Sequence, residues 1–254
     1  MMNLYGAHNH VLVITDMIDA EYHKHSFIQI SISLESFFEI EIGGKCFDCK
    51  GIAINSNVSH RFDGKYNKML FLLIDNTSRL ASPFKKLIGD RQIYIFTDEM
   101  LEKIIEFMKN SYEDIIDNTS YALVLKQLLR LFDVEYIDSE PVDPRIIEVI
   151  DLLKDCDDSE HSIDMLAKQV SLSKSRLSHL FKENTGMALS GYIVLHKLQK
   201  AIYSIFSGIS VSNAALSAGF DSPSHFAATS KRLLGMSAKE ISKDSVFLKV
   251  SRYQ

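Results

Sequence analysis

The feature that most constrains the fold is an internal duplication. The segment LAKQV…LSHLFKENTGM, from Leu166 to Met187, returns as AALSA…FAATSKRLLGM, from Ala214 to Met236. Ala167 pairs with Ala215 at an offset of 48 residues, while Leu177 with Phe226, Lys182 with Lys231, Gly186 with Gly235 and Met187 with Met236 pair at 49. One supersecondary unit is therefore used twice, with a residue added in the second turn. In the first copy Ile163, Leu166, Ala167 and Val170 fall at helical spacing behind the capping residue Ser162, and Leu177, Leu180 and Phe181 form the apolar face of a second helix starting at Ser173. Two short helices around Ser171-Leu172-Ser173, with the small Ala167 permitting a close crossing, make a helix-turn-helix pattern. Between the copies, YIVLHKLQKAIYSIF sets Val194, Leu198, Ala201, Ile202 and Ile205 on one stripe, which predicts a single connecting helix over Leu189–Phe206. At about 1.5 Å per residue this strut is about 27 Å long, comparable with the roughly 34 Å between successive major-groove faces on one side of B-DNA.

Charge follows the same division. The chain carries a net −5, but residues 162–254 hold 12 Lys+Arg against 5 Asp+Glu, a net +7, and residues 1–161 hold 16 against 28, a net −12. The polar side of the first reading helix presents Ser173, Lys174, Ser175, Arg176, Ser178, His179 and Lys182; that of the second presents Ser222, Ser224, His225, Thr229, Lys231 and Arg232, with Pro223 at the first helical position. Lys and Arg neutralise phosphates, Ser and Thr donate to phosphate oxygens or base edges, and His does either. Either helix alone reads as a solvated face. Duplication, strut and basic segment together point to double-stranded DNA.

The acidic front part has a different period. FIQISISL alternates strictly from Phe27, with Ile28, Ile30, Ile32 and Leu34 on one face and Gln29, Ser31 and Ser33 on the other, which predicts a half-buried strand. FFEIEI, Gly43-Gly44 and KCFDC read as a hairpin, and IAI and MLFLLI as further strands. Many short strands in about 75 residues favour an antiparallel sandwich or barrel. After Thr97 the spacing of Leu101, Ile104, Ile105 and Met108, then Leu125, Leu128, Leu129 and Phe132, predicts two helices that close this domain. Pro141 and Pro144 in DSEPVDPR mark a linker over 139–144, dividing a domain at 1–138 from one at 145–254.

In YHKHSFIQ, His23, His25 and Gln29 share a face of an extended segment, and His60 follows in NSNVSHRF. This resembles the His-x-His, acid or amide, distant His layout of cupin barrels, where such side chains converge and hold a divalent metal in some members. Gln29 stands where a Glu is usual and the framing glycines are missing, so these four are taken as an effector-binding set, with no metal and no cofactor assigned. Their plainer reading is a polar barrel lining. Cys46 and Cys49 have C-x-x-C spacing, but no second pair and no helix N-terminus accompanies them; two packed side chains near a turn is the reading preferred to a redox or zinc site. With Cys156 they are too few for a disulfide framework. The start MMNLYGAHNHV lacks the character of a secretory signal and no apolar run is long enough to span a bilayer, so a cytoplasmic protein without membrane contact is expected.

LAKQVSLSKSRLSHLFKENTGMALSGYI, the strut and AGFDSPSHFAATSKRLLGM resemble the AraC family of transcription regulators over about residues 145–245, and the front part resembles that family's cupin-like effector domain more loosely. The resemblance implies an α+β chain with an N-terminal antiparallel cupin-like β-barrel and helices, followed by an all-α double helix-turn-helix domain. It also implies a homodimer on paired sites, a small-molecule effector, RNA polymerase as a further partner, and no catalytic residues. Dimerisation is placed on the helix in YALVLKQLLRLF, with packing on the barrel as the alternative for the same stripe. The second copy departs from the family: Ser230 replaces a core Phe, Ala228 a polar contact residue, Ala214 an Ile, and Ser237-Ala238 a Thr-Pro or Ser-Pro. It is expected to be the softer and weaker reader. Two other classes stay open: a cupin-type metal-dependent enzyme with a helical appendage, and a regulator controlled by a partner protein without a small ligand. Activation or repression is not read from the residues.

Overall fold

The computed structural model describes residues 2–7, 9–16, 18–134, 143–155, 162–234 and 246–249. Two compact units form, one from residues 1–76, 80–136 and 230–254 and the other from 77–79 and 137–229. The division falls inside a helix, after Thr229.

The first unit carries the strands β1 (Met2–Gly6), β2 (His10–Thr15), β3 (Asp19–His23), β4 (Phe27–Ser33), β5 (Phe38–Ile42), β6 (Lys45–Cys49), β7 (Gly51–Ile54), β8 (His60–Asp63), β9 (Met69–Asp75), β10 (Ile93–Ile95) and β11 (Val246–Lys249). They form a larger sheet in the order β10-β7-β4-β9-β2-β1-β11 and a smaller one in the order β3-β8-β5-β6. The expected antiparallel, cupin-like β-domain is present, but no hydrogen-bonded ladder joins the two sheets among the described residues, so the barrel is not closed. β11 is the parallel exception, running from Val246 opposite Asn3 to Lys249 opposite Gly6. This strand lies within the 145–254 segment that the sequence assigns to the helical domain, and it extends the sheet of the first unit instead.

Strand β4 departs from its predicted half-burial: all seven residues are buried. It lies between β7 and β9. Ile28, Ile30, Ile32 and Leu34 join a core with the helices α1 (Ala81–Ile88), α2 (Asp98–Ser111) and α3 (Asn118–Leu131). The opposite face, with Gln29, Ser31 and Ser33, looks towards the smaller sheet. Phe71 pairs with Ser31 across β9 and meets Phe62 of β8 with ring centroids 5.2 Å apart. Alternation in sequence is the same whether the polar face meets water or a second sheet. The predicted hairpin is present, with Gly43 and Gly44 at φ 58° and 76° in the two-residue loop between β5 and β6.

Among the described residues, three α-helices, not two, lie wholly within this unit. α1 has only Ala81, Phe84 and Ile88 as buried positions, too short a pattern to stand out between strands. α2 starts at Thr97, whose hydroxyl accepts from Met100 N, with Asp98 and Glu99 in its first turn. α3 starts at a capping box between Asp117 and Ser120. The stripe assigned to dimerisation is covered within one chain: Leu128, Leu129 and Phe132 are buried in the unit's own core and Leu125 packs against it. Phe132 meets Phe84 at 5.6 Å and Phe96 at 5.2 Å between ring centroids. The alternative reading of that stripe, packing on the β-domain, is the one observed.

The second unit is helical: α4 (Pro144–Asp155), α5 (Ile163–Gln169), α6 (Lys174–Thr185), α7 (Leu189–Phe206), α8 (Val211–Ser217) and the part of α9 (Pro223–Leu234) up to Thr229. Pro144, the last residue of the predicted linker, opens α4; residues 139–142 lie outside the described residues. α7 has the predicted bounds, but its buried face is broader than the predicted stripe. Tyr192, Leu195, Leu198, Gln199 and Ile202 are buried, whereas Val194 and Ile205 are partly exposed. A helix that packs against neighbours from both repeats needs more than one apolar stripe.

Candidate nucleic-acid interface and histidine cluster

The two helix pairs are built by equivalent hydrogen bonds. In the first turn Leu172 N donates to Ala167 O at 2.8 Å and Ser171 N to Lys168 O at 3.1 Å; in the second, Phe220 N donates to Ala215 O at 3.1 Å and Gly219 N to Leu216 O at 3.0 Å. Both turns pass through a left-handed residue, Ser171 at φ 54° and Gly219 at φ 83°. The added residue of the second copy is Asp221, which follows this shared turn and precedes the cap. Ser173 Oγ accepts from Arg176 N at 3.2 Å and Ser222 Oγ from His225 N at 3.1 Å. Both serines therefore fix where a reading helix begins, and each hydroxyl proton stays free to be donated to a phosphate.

Lys174, Ser175, Arg176, His179 and Lys182 are exposed on α6, with Ser178 partly so; on α9, Ser224, His225, Lys231 and Arg232 are exposed and Ser222 partly so. Thr229 is buried, so it does not present its side chain to a groove. A polar residue at that spacing faces inwards because the apolar face of α9 turns with it. Lys174 Nζ pairs with Asp164 Oδ2 at 2.5 Å, and His225 Nδ1 lies 3.0 Å from Asp221 Oδ2. The second reader thus starts beside a carboxylate that the first turn does not have.

Packing behind the two readers differs in arrangement. Phe181 is buried and meets Tyr192 edge-on at 5.3 Å, while its counterpart Ser230 is buried and small. Phe220 and Phe226 stand where the first copy has Leu172 and Leu177, and their rings meet at 5.3 Å. Aromatic bulk has moved towards the turn.

In the first unit, His23 ends β3 opposite His60 at the start of β8, His25 lies where the chain crosses from the smaller sheet to the larger, and Gln29 is on β4. The four do not share one strand, as period-two spacing predicts for His23, His25 and Gln29. They converge because the chain changes sheet between His23 and Phe27. The ring centroids are 4.4 Å apart for His23 and His60, 5.3 Å for His25 and His60, and 5.6 Å for His23 and His25. Each Nδ1 faces a backbone carbonyl: Glu21 O at 2.8 Å from His23, Phe27 O at 3.2 Å from His25 and Val58 O at 3.0 Å from His60. A carbonyl only accepts, so an N–H spent there leaves Nε2 with its lone pair. His25 Nε2 lies 2.7 Å from Gln29 Oε1, and Gln29 Nε2 donates to Ser31 Oγ at 2.8 Å. His60 Nε2 is buried and has no hydrogen-bond partner among the described residues. Burial holds all three rings below the usual imidazole range, His60 down to about 3, which keeps them neutral at pH 7.

Residues 166–244 match the helix-turn-helix domain family, a span that contains both turns and both reading helices. The matched part is a helix-turn-helix domain, and the chain is a DNA-binding transcription regulator. Its fold is similar to that of an apo ToxT variant from Vibrio cholerae, at 12% identity over 93% of this chain and 97% of that one, with a TM-score of 0.48. An AraC-type DNA-binding domain protein from Chromobacterium violaceum is 26% identical over 39% of this chain and 88% of its own, with a TM-score of 0.35. The C-terminal domain of AraT from Geobacillus stearothermophilus is 18% identical over 44% of this chain and 93% of its own, with a TM-score of 0.38. No curated protein matches by sequence.

The remaining candidates of the regulator are structural. Cys46 is exposed and Cys49 buried on β6, and residues three apart on a strand point to opposite faces, so the C-x-x-C spacing brings no thiols together. Burial pushes the Cys49 thiol up to about 12, far from a reactive thiolate. His10, which no sequence pattern singles out, is buried with Nδ1 2.7 Å from Asn9 Oδ1 and Nε2 2.6 Å from Tyr121 Oη. Both its nitrogens are served. No described helix is long and apolar enough to cross a membrane. Ser237 and Ala238 lie outside the described residues.

Proposed function

We propose that this regulator reads duplex DNA mainly through α6, with α9 as the weaker second contact, and that its two working parts are residues 1–138, which together with β11 sense an effector, and the helices α4 to α9, which bind the operator. The observation that carries this reading is the repetition of the turn hydrogen bonds and serine caps beneath two helices whose exposed faces are basic and hydroxyl-rich. Lys174, Arg176 and Lys182 neutralise phosphates, and Arg176 and His179 are the side chains suited to base edges. Ser173 and Ser222 set the helix starts. Lys231 and Arg232 supply phosphate contacts at the far end of α9.

The regulator acts as a homodimer on paired sites in the cytoplasm and reaches RNA polymerase from there. Its dimer surface excludes Leu128, Leu129 and Phe132, which one chain already buries. We read the chain as a regulator and not an enzyme, because the span that matches a known family is a helix-turn-helix domain.

Selection of bound duplexes from a random pool by the full chain, followed by a salt titration on the selected sequence, tests this. A sequence-specific site whose log affinity falls with log salt by about 0.9 per neutralised phosphate is expected. Retention of all duplexes alike, or an affinity indifferent to salt, would remove the reading.

A further inference from the structure

Two neighbouring imidazoles of the first unit have hydrogen-bond inventories that do not match their surroundings. His60 Nε2 has no partner among the described residues, and its Nδ1–H is already directed to Val58 O. His25 faces two acceptors, Phe27 O at 3.2 Å and Gln29 Oε1 at 2.7 Å, although a neutral imidazole has one N–H to give. Turning the Gln29 amide over would serve His25 but leave His60 bare. A buried polar atom without a partner is destabilising, and His10 shows that this same unit can satisfy an internal histidine fully. An electron-pair acceptor resolves both defects at once.

We propose that the effector of the first unit is a late first-row divalent metal ion, bound by Nε2 of His23, His25 and His60, with Oε1 of Gln29 at its edge. This rests on the reading of that unit as the sensor. One nitrogen from each ring already lies within 4.8 Å of the others. A tetrahedral ion with bonds of about 2.1 Å sets its nitrogens about 3.4 Å apart, so ring rotations of the order of 1 Å close the site. Three neutral imidazoles suit Zn²⁺, Ni²⁺ or Co²⁺ and disfavour Mg²⁺ and Ca²⁺, which take oxygen. Each Nδ1–H on a backbone carbonyl is the outer support that orients a histidine ligand. His23, the half-buried member, gives the ion its way in. His23 and His60 are cross-strand partners in the smaller sheet and Gln29 belongs to the larger, so the ion clips the two sheets where no ladder joins them. That placement is what gives an ion leverage over the unit.

The test titrates chelator-stripped full-length protein with Co²⁺, reading the visible absorption of a four-coordinate ion and the heat of binding, with Zn²⁺ as competitor. One equivalent is expected. His23→Ala and His60→Ala are expected to weaken it by more than the roughly 10–100-fold that loss of an outer partner causes. His23→Ala keeps the test decisive if His60→Ala fails to fold, and thermal unfolding of both variants without metal separates the cases. Absence of binding, or binding unchanged by His23→Ala, overturns the site. In parallel, affinity for a selected duplex is measured with and without one equivalent of Zn²⁺; a change of roughly fivefold or more supports sensing, and an unchanged affinity overturns the effector role. Loss of DNA binding under all conditions, with the Co²⁺ spectrum intact, would refute the regulator reading and leave the metal site standing.

Discussion

The first helix pair concentrates its core in one large side chain, and the second spreads it nearer the turn. Phe181 is buried against Tyr192, whereas the matching Ser230 is buried and Phe220 and Phe226 replace two leucines. A repeat therefore keeps its backbone bonding while its packing is redistributed. The polar side diverges too: Asp221, the added residue, sits beside His225 at the start of the second reader and has no counterpart in the first turn. Similar scaffolds thus offer DNA unequal faces.

The largest expected effect tests the packing half of this comparison. Phe181→Ala should cost about 3–5 kcal/mol in urea unfolding of the full chain, because a fully buried ring leaves a cavity. Its mirror, Ser230→Phe, should cost about 1–3 kcal/mol through overpacking if the bulk has already moved to Phe220 and Phe226. A gain in stability from Ser230→Phe would mean that the second pair holds a void and that redistribution is the wrong description.

Next in size is the reading asymmetry. Arg176→Ala should cost about 1–3 kcal/mol on a selected duplex and relax preference at one position, while Lys231→Ala should weaken all duplexes alike and reduce the salt slope by about 1. Binding measured on matched and scrambled duplexes decides; a sequence-dependent loss from Lys231→Ala would make the second helix a base reader. The turns come third. Gly219→Ala should destabilise by roughly 1–2 kcal/mol, since an L side chain at φ 83° is strained, and Ser171→Gly should be near neutral or stabilise by less than about 1 kcal/mol, because relief at φ 54° is offset by the flexibility glycine adds to the unfolded chain. A neutral Gly219→Ala would show that the second turn accepts a side chain at positive φ as readily as the first does at Ser171. The smallest effect belongs to Asp221→Asn, which removes an exposed carboxylate and should strengthen non-specific DNA binding by a few tenths of a kcal/mol at low salt, fading as salt screens it.

The helical half is largely legible in the chain's own residues. The bounds of α7 and the caps Ser162, Ser173 and Ser222 follow from local rules, since a cap needs only a hydroxyl three residues ahead of a free N–H. Thr229 escapes those rules because a helical period does not say which side of a helix its neighbours cover. In the β half, the strands FIQISIS and MLFLLID and the Gly43-Gly44 hairpin are readable from alternation and turn chemistry. The first two strands, α1, β10 and β11 are not, since short apolar pieces carry no period long enough to assign.

Sequence by itself determined that the chain has a basic, duplicated helical part and an acidic β-rich part, because charge and periodicity are local quantities. Tertiary structure decided what each apolar or polar face meets. The stripe Leu128, Leu129 and Phe132 packs inward because the same unit supplies Phe84 and Phe96 to cover it. The polar face of β4 is buried because a second sheet lies over it. Three histidines come together because the chain changes sheet between His23 and Phe27, a crossing that places residues 2 and 37 positions apart in sequence within reach of one another. Such convergence depends on long-range pairing, and no window of sequence contains it.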